Sequence, residues 1–421
     1  MYFSRGPETL AISAKLFAEN RSRLVNALKG KFKKGTMIML QGGSHKTRYN
    51  TDTDDCAFLQ ESYFFWTFGV HEPDFYGAID VENGRSILFA PRLHPDFAIW
   101  YGSFKVNTDE LYPIMANLRV FKTDSELEVM RYACKVTSEA HRAAMMVIKP
   151  GMFEYQLESV LRHSCYFYGG CRRMSYTPIV ASGPNCAVLD YGQANAPNDR
   201  QIMDGDMCLF DVACEYNCYA SDLTATFPAN GKFTDKQKVI YNAVLRANHE
   251  VFDNAKPGVW WKDMHLLAER VILSDLKSAE ILKGDIDEMM NVRLAAVFMP
   301  HGLGHFVGLD VHDVGGYLGD AVPRSDEPGL KSLRTTRTLQ ERMVITIEPG
   351  CYFVDVLLDA ALAAPEKSKF FNVEKLNEYR GFGGVRIEDT VVIWAKGNER
   401  LTDVPRTVNE IEVFMRTHAN Q

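Results

Sequence analysis

Apolar positions recur at helical spacing in four stretches of the chain, and the same punctuation separates them twice. Thr123-x-x-Glu126 reads as a capping box, and the helical pattern behind it runs over 127–148 until Lys149-Pro150-Gly151 breaks it. A second helical stretch over 155–168 stops at Gly169-Gly170. The grammar then recurs. Thr234-x-x-Gln237 opens a helix that ends near Ala255, Lys256-Pro257-Gly258 breaks the chain, and 264–273 continues as helix. The two Lys-Pro-Gly breaks lie 107 residues apart, which predicts two halves related by approximate twofold symmetry. Strand-like sequence adjoins both helix pairs, at 176–181 and 208–227 in the first half and at 297–299, 343–347 and 391–394 in the second. Antiparallel strands mixed with helices place the chain in the α+β class.

Residues 1–121 read as a separate, smaller α/β unit. Helical spacing covers 16–28, a strand is predicted over 36–41, and the runs 77–81 and 86–90 flank Asn83-Gly84, a type I′ hairpin signal. Phe64, Phe65, Trp66 and Phe68 form an aromatic cluster of core character. The expected division is therefore 1–121 and 122–421, with 119–122 as the linker.

At 421 residues and 46% hydrophobic content the chain is long enough for two or three domains. A net charge of −7 and a pI near 5.9 argue against nucleic acid and anionic membranes as partners. Nine scattered cysteines without a C-x-x-C pair fit a reducing, cytoplasmic compartment. No stretch approaches the roughly 18 unbroken apolar residues of a membrane span, and the start of the chain has no export signal.

Candidate chemistry begins at 208–227. Folding this stretch back on Tyr216-Asn217 sets Asp211 directly opposite Asp222, both on one side of the ladder. If buried, such a pair takes up a proton or a divalent cation; if exposed, it is an ordinary solvated hairpin. Farther on, Pro300-His301-Gly302-Leu303-Gly304-His305 puts two histidines on a backbone too glycine-rich for a helix. Glu348 follows the strand-like Val344-Ile345-Thr346-Ile347, and Glu388 follows the glycine-rich 381–384.

The ordered set Asp211, Asp222, His305, Glu348 and Glu388 resembles the pita-bread metallopeptidases, the family of methionine aminopeptidases, aminopeptidase P and prolidase. Within it, the motifs at 227–233, 299–306, 310–316 and 381–388 are most similar to those of eukaryotic prolidases, the Xaa-Pro dipeptidases, and the resemblance runs from about Glu61 to Glu412. It implies a pita-bread catalytic domain behind an N-terminal domain, and a centre of two manganese ions, with cobalt as an alternative. Asp222 and Glu388 would bridge the ions, Asp211 would bind the first, and His305 and Glu348 would complete the second. Four carboxylates and one imidazole form a hard donor set whose charge balances two divalent cations. Water bridging the ions would attack the scissile carbonyl, with Glu348 as its proton acceptor. The resemblance further implies His301 and His312 as oxyanion-stabilising or proline-side groups, Tyr176 and Thr224 close to the metals, and Arg386 on the substrate side. Arg334 would receive the carboxylate of a C-terminal proline, which restricts substrates to dipeptides. A homodimer is implied as well.

Three departures from the family pattern stand out. Asp190 occupies the position of a family histidine on the substrate side, where its charge would oppose the carboxylate that Arg334 attracts. Val212-Ala213 and Gln193 are smaller changes around it. The N-terminal domain is shorter than a prolidase N-domain, by several tens of residues between Tyr101 and Arg119. Two other readings stay open: an aminopeptidase P-like exopeptidase acting on longer peptides, and a catalytically impaired pita-bread protein that only binds.

Overall fold

The computed structural model describes residues 2–4, 6, 9–44, 46, 58–89, 111–193 and 196–418. The chain divides into two compact units, Met1–Leu127 and Glu128–Gln421. In the first, helices α1 (Lys15–Leu28), α2 (Ser62–Phe68) and α3 (Leu111–Val120) accompany an antiparallel sheet of β1 (Met37–Gln41), β2 (Tyr76–Asp80) and β3 (Ser86–Phe89), with β2 in the middle. Phe64, Phe65 and Trp66 are fully buried, as their clustering predicts. The β2–β3 turn is not type I′. That turn needs positive φ at both central residues, and only Gly84 of the pair has it; the Asp80 carboxylate instead accepts from the Glu82 N–H and the Asn83 side chain, which closes a longer loop. The predicted shortening between Tyr101 and Arg119 lies largely in 90–110, outside the described residues.

In the second unit the predicted repeat is visible in the hydrogen bonds. Helices α4 (Asp124–Val147) and α5 (Glu154–His163) flank the first Lys-Pro-Gly, and α6 (Asp235–Asn254) and α7 (Trp261–Ser278) flank the second. Both capping boxes form: Thr123 with Glu126 and Thr234 with Gln237 exchange side-chain to backbone hydrogen bonds in both directions. The break glycines Gly151 and Gly258 have φ of 95° and 88°, open to glycine but costly for other residues. Each then donates its N–H to an incoming strand, Gly151 to the Ile202 carbonyl at 2.7 Å and Gly258 to the Leu339 carbonyl at 2.9 Å. The return bonds match too, from Ile202 N–H to Met152 and from Leu339 N–H to Val259. Five residues beyond each anchor the equivalent strands begin, at Met207 and Val344.

Those strands organise two antiparallel sheets. Strands β5 (Ile179–Ser182), β6 (Met207–Asp211) and β9 (Thr224–Pro228) pair with β6 in the middle. Strands β10 (Val344–Ile347), β13 (Asp389–Trp394) and β14 (Gly397–Arg400) pair with β13 in the middle. Beside them, the hairpin strands β7 (Cys214–Tyr216) and β8 (Tyr219–Ala220) form a third sheet in which β7, in the middle, also pairs with β4 (Arg173–Met174), and β11 (Gly350–Tyr352) pairs with β12 (Gly384–Arg386).

Three expectations need correction. The hairpin turns on Asn217-Cys218, both at positive φ, so Asp211 faces Thr224 and not Asp222. The shift is two residues, and an even shift leaves every side chain on its predicted side. Residues 297–299 are not a strand: Ala295–Phe298 form one buried helical turn whose apolar residues satisfy burial in either conformation. The helix predicted over 155–168 finishes as a π-turn, Ser164–Tyr168, before Gly169.

His141, fully buried on α4, links this frame to the hairpin through Nε2 at 2.7 Å from the Val212 carbonyl. A carbonyl only accepts, so Nε2 carries the proton, and Nδ1 is left buried with no partner among the described residues. Burial therefore holds its pKa down to about 4. The unfolded chain takes up this proton near pH 6.5 and the folded chain does not, so stability should fall as pH drops from 6.5 to 4, by on the order of 3 kcal/mol from this residue. In urea unfolding at pH 7 and 4.5, His141→Gln, which keeps a donor for Val212, should show a distinctly smaller loss than the parent chain.

Candidate metal centre

Strand geometry delivers the acidic residues to one place from both halves of the repeat. Asp211 ends β6 and Glu348 follows β10, each nine residues beyond its anchor at Ile202 or Leu339. Asp222 lies on the irregular segment before β9, and Glu388 joins β12 to β13. Asp222 is fixed by Thr390, whose hydroxyl donates to the Asp222 carbonyl at 2.7 Å and lies 3.2 Å from its N–H. Glu388 accepts from the Thr224 hydroxyl at 2.6 Å, and its N–H donates to the Thr224 carbonyl at 3.2 Å. Beneath both, buried Arg406 donates to the carbonyls of Thr224 and Glu388 and to the carboxylate of Asp389.

The side chains converge. Donor atoms of Asp222, His305 and Glu388, all buried, lie within 4.8 Å of one another. His305 Nε2 is 3.3 Å from Asp222 Oδ2 and 3.3 Å from Glu348 Oε1. The Tyr176 hydroxyl sits 2.5 Å from Asp211 Oδ1 and 2.7 Å from Asp222 Oδ1, which brings in the fifth residue. His305 Nδ1 faces the Phe306 carbonyl at 3.0 Å and must carry a hydrogen, so a neutral ring aims the bare lone pair of Nε2 between two carboxylates.

Such an arrangement calls for positive charge. Burial, then the charges of Asp222 and Glu348, push Glu388 well above the ordinary carboxylate range. Burial also raises Asp211 and Glu348, with Arg386 and His305 opposing. His305 is raised as well, because Asp222 and Glu348 outweigh a burial that acts the other way. Hard oxygen donors with one imidazole lone pair fit a divalent cation of the magnesium, manganese or cobalt type.

Of the residues expected on the substrate side, His301 borders the cluster, with Nδ1 3.9 Å from Glu348 Oε2. Its Nδ1–H goes to the Gly302 carbonyl at 2.8 Å, and Nε2 takes the Tyr352 hydroxyl at 3.0 Å. Burial and then Arg386 lower its pKa to about 3, so it is neutral. His312 packs its ring against His305 at 4.4 Å and makes no hydrogen bond among the described residues. Arg334 is exposed and its guanidinium has no hydrogen bond or ion pair among the described residues, yet its charge reaches His301, His312 and Glu348. Arg386, also expected on the substrate side, is different: it is buried, and its donors go to Asp211 (2.6 Å), Tyr352 (2.7 Å) and Thr224 (3.2 Å). Asp190 is exposed just before the turn Tyr191–Gln193, next to Leu189, which packs on the cluster containing Tyr352. Sequence reasoning missed Tyr352, Thr390 and Arg406, whose partners lie up to 182 positions away in the chain.

With this geometry established, comparison with known proteins is direct. The pattern of metallopeptidase family M24 matches residues 128–395, and that of the aminopeptidase P N-terminal domain matches 17–131. The Xaa-Pro dipeptidases of Rattus norvegicus and Homo sapiens are each 50% identical over 473 residues, covering 98% of this chain and 96% of theirs. The aligned length exceeds the 421 residues present, so these relatives carry segments that this chain lacks. Among solved structures, a histidine-to-alanine variant of Escherichia coli aminopeptidase P superimposes with a TM-score of 0.79 at 30% identity, over 97% of this chain and 100% of that one. Pseudomonas aeruginosa aminopeptidase PepP gives 0.76 at 30% identity, over 97% and 99%. The fold is the pita-bread fold preceded by an aminopeptidase P-type N-terminal domain.

Thr390→Val keeps the shape of Thr390 and removes the hydroxyl that holds Asp222. Stability should drop by about 1–3 kcal/mol in denaturant unfolding, and divalent-ion affinity measured by equilibrium dialysis should weaken about 10- to 100-fold.

Proposed function

The chain belongs to metallopeptidase family M24, and from that membership we propose that it hydrolyses Xaa-Pro dipeptides and releases the C-terminal proline. The observation that carries this reading is the clustering of four carboxylates and one imidazole within reach of the charge of Arg334, whose guanidinium has no partner among the described residues. Half-identity to Xaa-Pro dipeptidases supports the substrate class. Catalysis belongs to the C-terminal domain, 122–421 from sequence and Glu128–Gln421 as a compact unit.

Asp211, Asp222, His305, Glu348 and Glu388 would together hold two divalent ions, manganese in the first instance. Ions held there supply Lewis acidity toward a carbonyl oxygen and acidify water. Glu348 accepts the proton of the attacking water, since its carboxylate spans from the His305 side to the His301 side. Both nitrogens of His301 are engaged, so it shapes the site as a neutral wall. His312 is the histidine free to donate to a tetrahedral oxyanion. Tyr176 sets the spacing of Asp211 and Asp222. Arg334 pairs with the proline carboxylate through its planar fork, a contact that a longer peptide cannot make in the same place. That unpaired fork favours the dipeptidase over an aminopeptidase P-like activity.

A homodimer in the cytoplasm completes the reading. The eight described cysteines are all buried free thiols, in keeping with a reducing compartment. No helix among the described residues is long and apolar enough to cross a membrane.

Glycine should be released from Gly-Pro, together with proline, and not from Gly-Pro-Ala, whose cleavage would leave Pro-Ala, in manganese-supplied protein whose metal content has been counted. Cleavage of the tripeptide alone would transfer the activity to the aminopeptidase P type, and neither cleavage at full metal content would end the peptidase reading. Arg334→Ala should raise KM for Gly-Pro about 10- to 100-fold with metal content unchanged, the loss expected of one charge-assisted hydrogen-bond pair. Asp190→His removes a negative charge from the substrate side and should raise kcat/KM on Gly-Pro by about tenfold, equivalent to one pK unit; no gain in metal-loaded protein would rule out repulsion by Asp190.

A further inference from the structure

The loop that carries His301 and His305 is Gly302-Leu303-Gly304 between them, and glycines on both sides of Leu303 leave it little conformational preference of its own. Something outside the loop must hold it. One face of α7 does so through residues spaced four apart, Trp261, His265 and Glu269, all with no exposed surface. Trp261 Nε1–H donates to the Gly304 carbonyl at 3.3 Å, and the Leu303 N–H donates to His265 Nδ1 at 3.2 Å. The Leu303 carbonyl in turn accepts the Glu348 N–H at 2.9 Å. The single residue Leu303 thus ties α7 to Glu348 and sits midway between His301 and His305.

The direction of the bonds is determined. Because His265 Nδ1 accepts from a backbone N–H, it has no hydrogen, and the ring is the neutral tautomer with its proton on Nε2. That Nε2–H meets Glu269 Oε1 at 3.0 Å. The same oxygen accepts from Arg293 Nη2 at 2.7 Å, so the buried carboxylate is ionically balanced and holds the ring in one orientation. Arg293, at 9% exposure, also bonds the Pro328 carbonyl. A carboxylate that orients an imidazole is the arrangement that fixes tautomer and angle in catalytic and metal-binding histidines. Here the oriented nitrogen points at a peptide N–H and not at a reacting atom.

We propose that His265, locked by Glu269 and Arg293, is a positioning residue that sets the geometry of the His301–His305 loop and of Glu348 through the peptide of Leu303. The proposal rests on the reading of His305 and Glu348 as metal ligands, but the anchor itself can be tested apart from that reading. Three variants separate the roles. His265→Leu removes the acceptor for Leu303; His265→Asn retains an oxygen near the place of Nδ1; Glu269→Gln keeps an acceptor and discards the charge.

Amide hydrogen exchange reads the anchor directly. The Leu303 and Glu348 amides should exchange at least about tenfold faster in His265→Leu and return toward parental rates in His265→Asn. With a manganese-loaded parent that cleaves Gly-Pro, His265→Leu should lose about 10- to 100-fold in kcat and in manganese affinity by equilibrium dialysis, with KM little changed. His265→Asn should recover most of both, and Glu269→Gln should fall between. Unchanged exchange at Leu303 in His265→Leu overturns the proposal whatever the parent's activity. Equal losses in His265→Leu and His265→Asn, in step with a lowered Tm, also overturn it, because they would show only a core residue missed for its packing. A parent that cleaves no peptide would sink the dipeptidase reading while leaving the exchange result decisive for the anchor.

Discussion

The concentration of negative charge out of water governs the second unit. Asp211, Asp222, Glu348 and Glu388 come from four separate segments and meet with a single imidazole among them. Unbalanced, such a cluster would cost far more than folding can supply, because charge repulsion and desolvation add. The protein offsets part of it with fixed cations. Arg386 pairs with Asp211, and Arg406 with Arg400 holds Asp389, next to Glu388, below the usual carboxylate range in spite of burial. The remainder is charge that a divalent cation at the cluster would balance.

Symmetry explains how four segments meet at one point. The two Lys-Pro-Gly breaks make the same pair of backbone hydrogen bonds to strands that then run the same distance to a carboxylate. A duplicated supersecondary unit therefore delivers Asp211 from one half and Glu348 from the other. Asymmetry comes from the connection leaving each strand: a tight hairpin that returns with Asp222 in one half, and a longer excursion that returns with Glu388 in the other. The histidine loop belongs to the second half alone, and its glycines let backbone pack against backbone. A Cβ on Gly304 would lie 2.0 Å from the Thr346 carbonyl oxygen, which no other residue can tolerate.

The clustered residues and their supports obey different rules of placement. Asp211, Asp222, Glu348 and Glu388 lie at strand ends and in the segments between strands, where local sequence determines which way a side chain points. Their supports, Thr390, Arg406, Tyr352 and the His265–Glu269 pair, reach partners as far as 182 positions away in the chain. Arg386 illustrates the difference. Two residues from Glu388 in sequence, it turns its guanidinium to Asp211 and Tyr352.

From the sequence alone came the helix pairs, their capping boxes, the duplicated break and the side of the ladder on which Asp211 and Asp222 lie. Each depends on spacing within about a dozen residues, and the twofold periodicity of a strand survives an error of two in register. The turn at Asn217-Cys218 and the helical turn at Ala295–Phe298 escaped, because short apolar runs and turn centres satisfy more than one local conformation. Only the tertiary structure decided that the acidic residues share one buried volume, that Arg334 has no partner among the described residues while Arg386 has three, and that His265 points at the peptide of Leu303. Those facts concern distances between segments far apart in the chain, which local physics leaves free and which are set by packing of the whole unit.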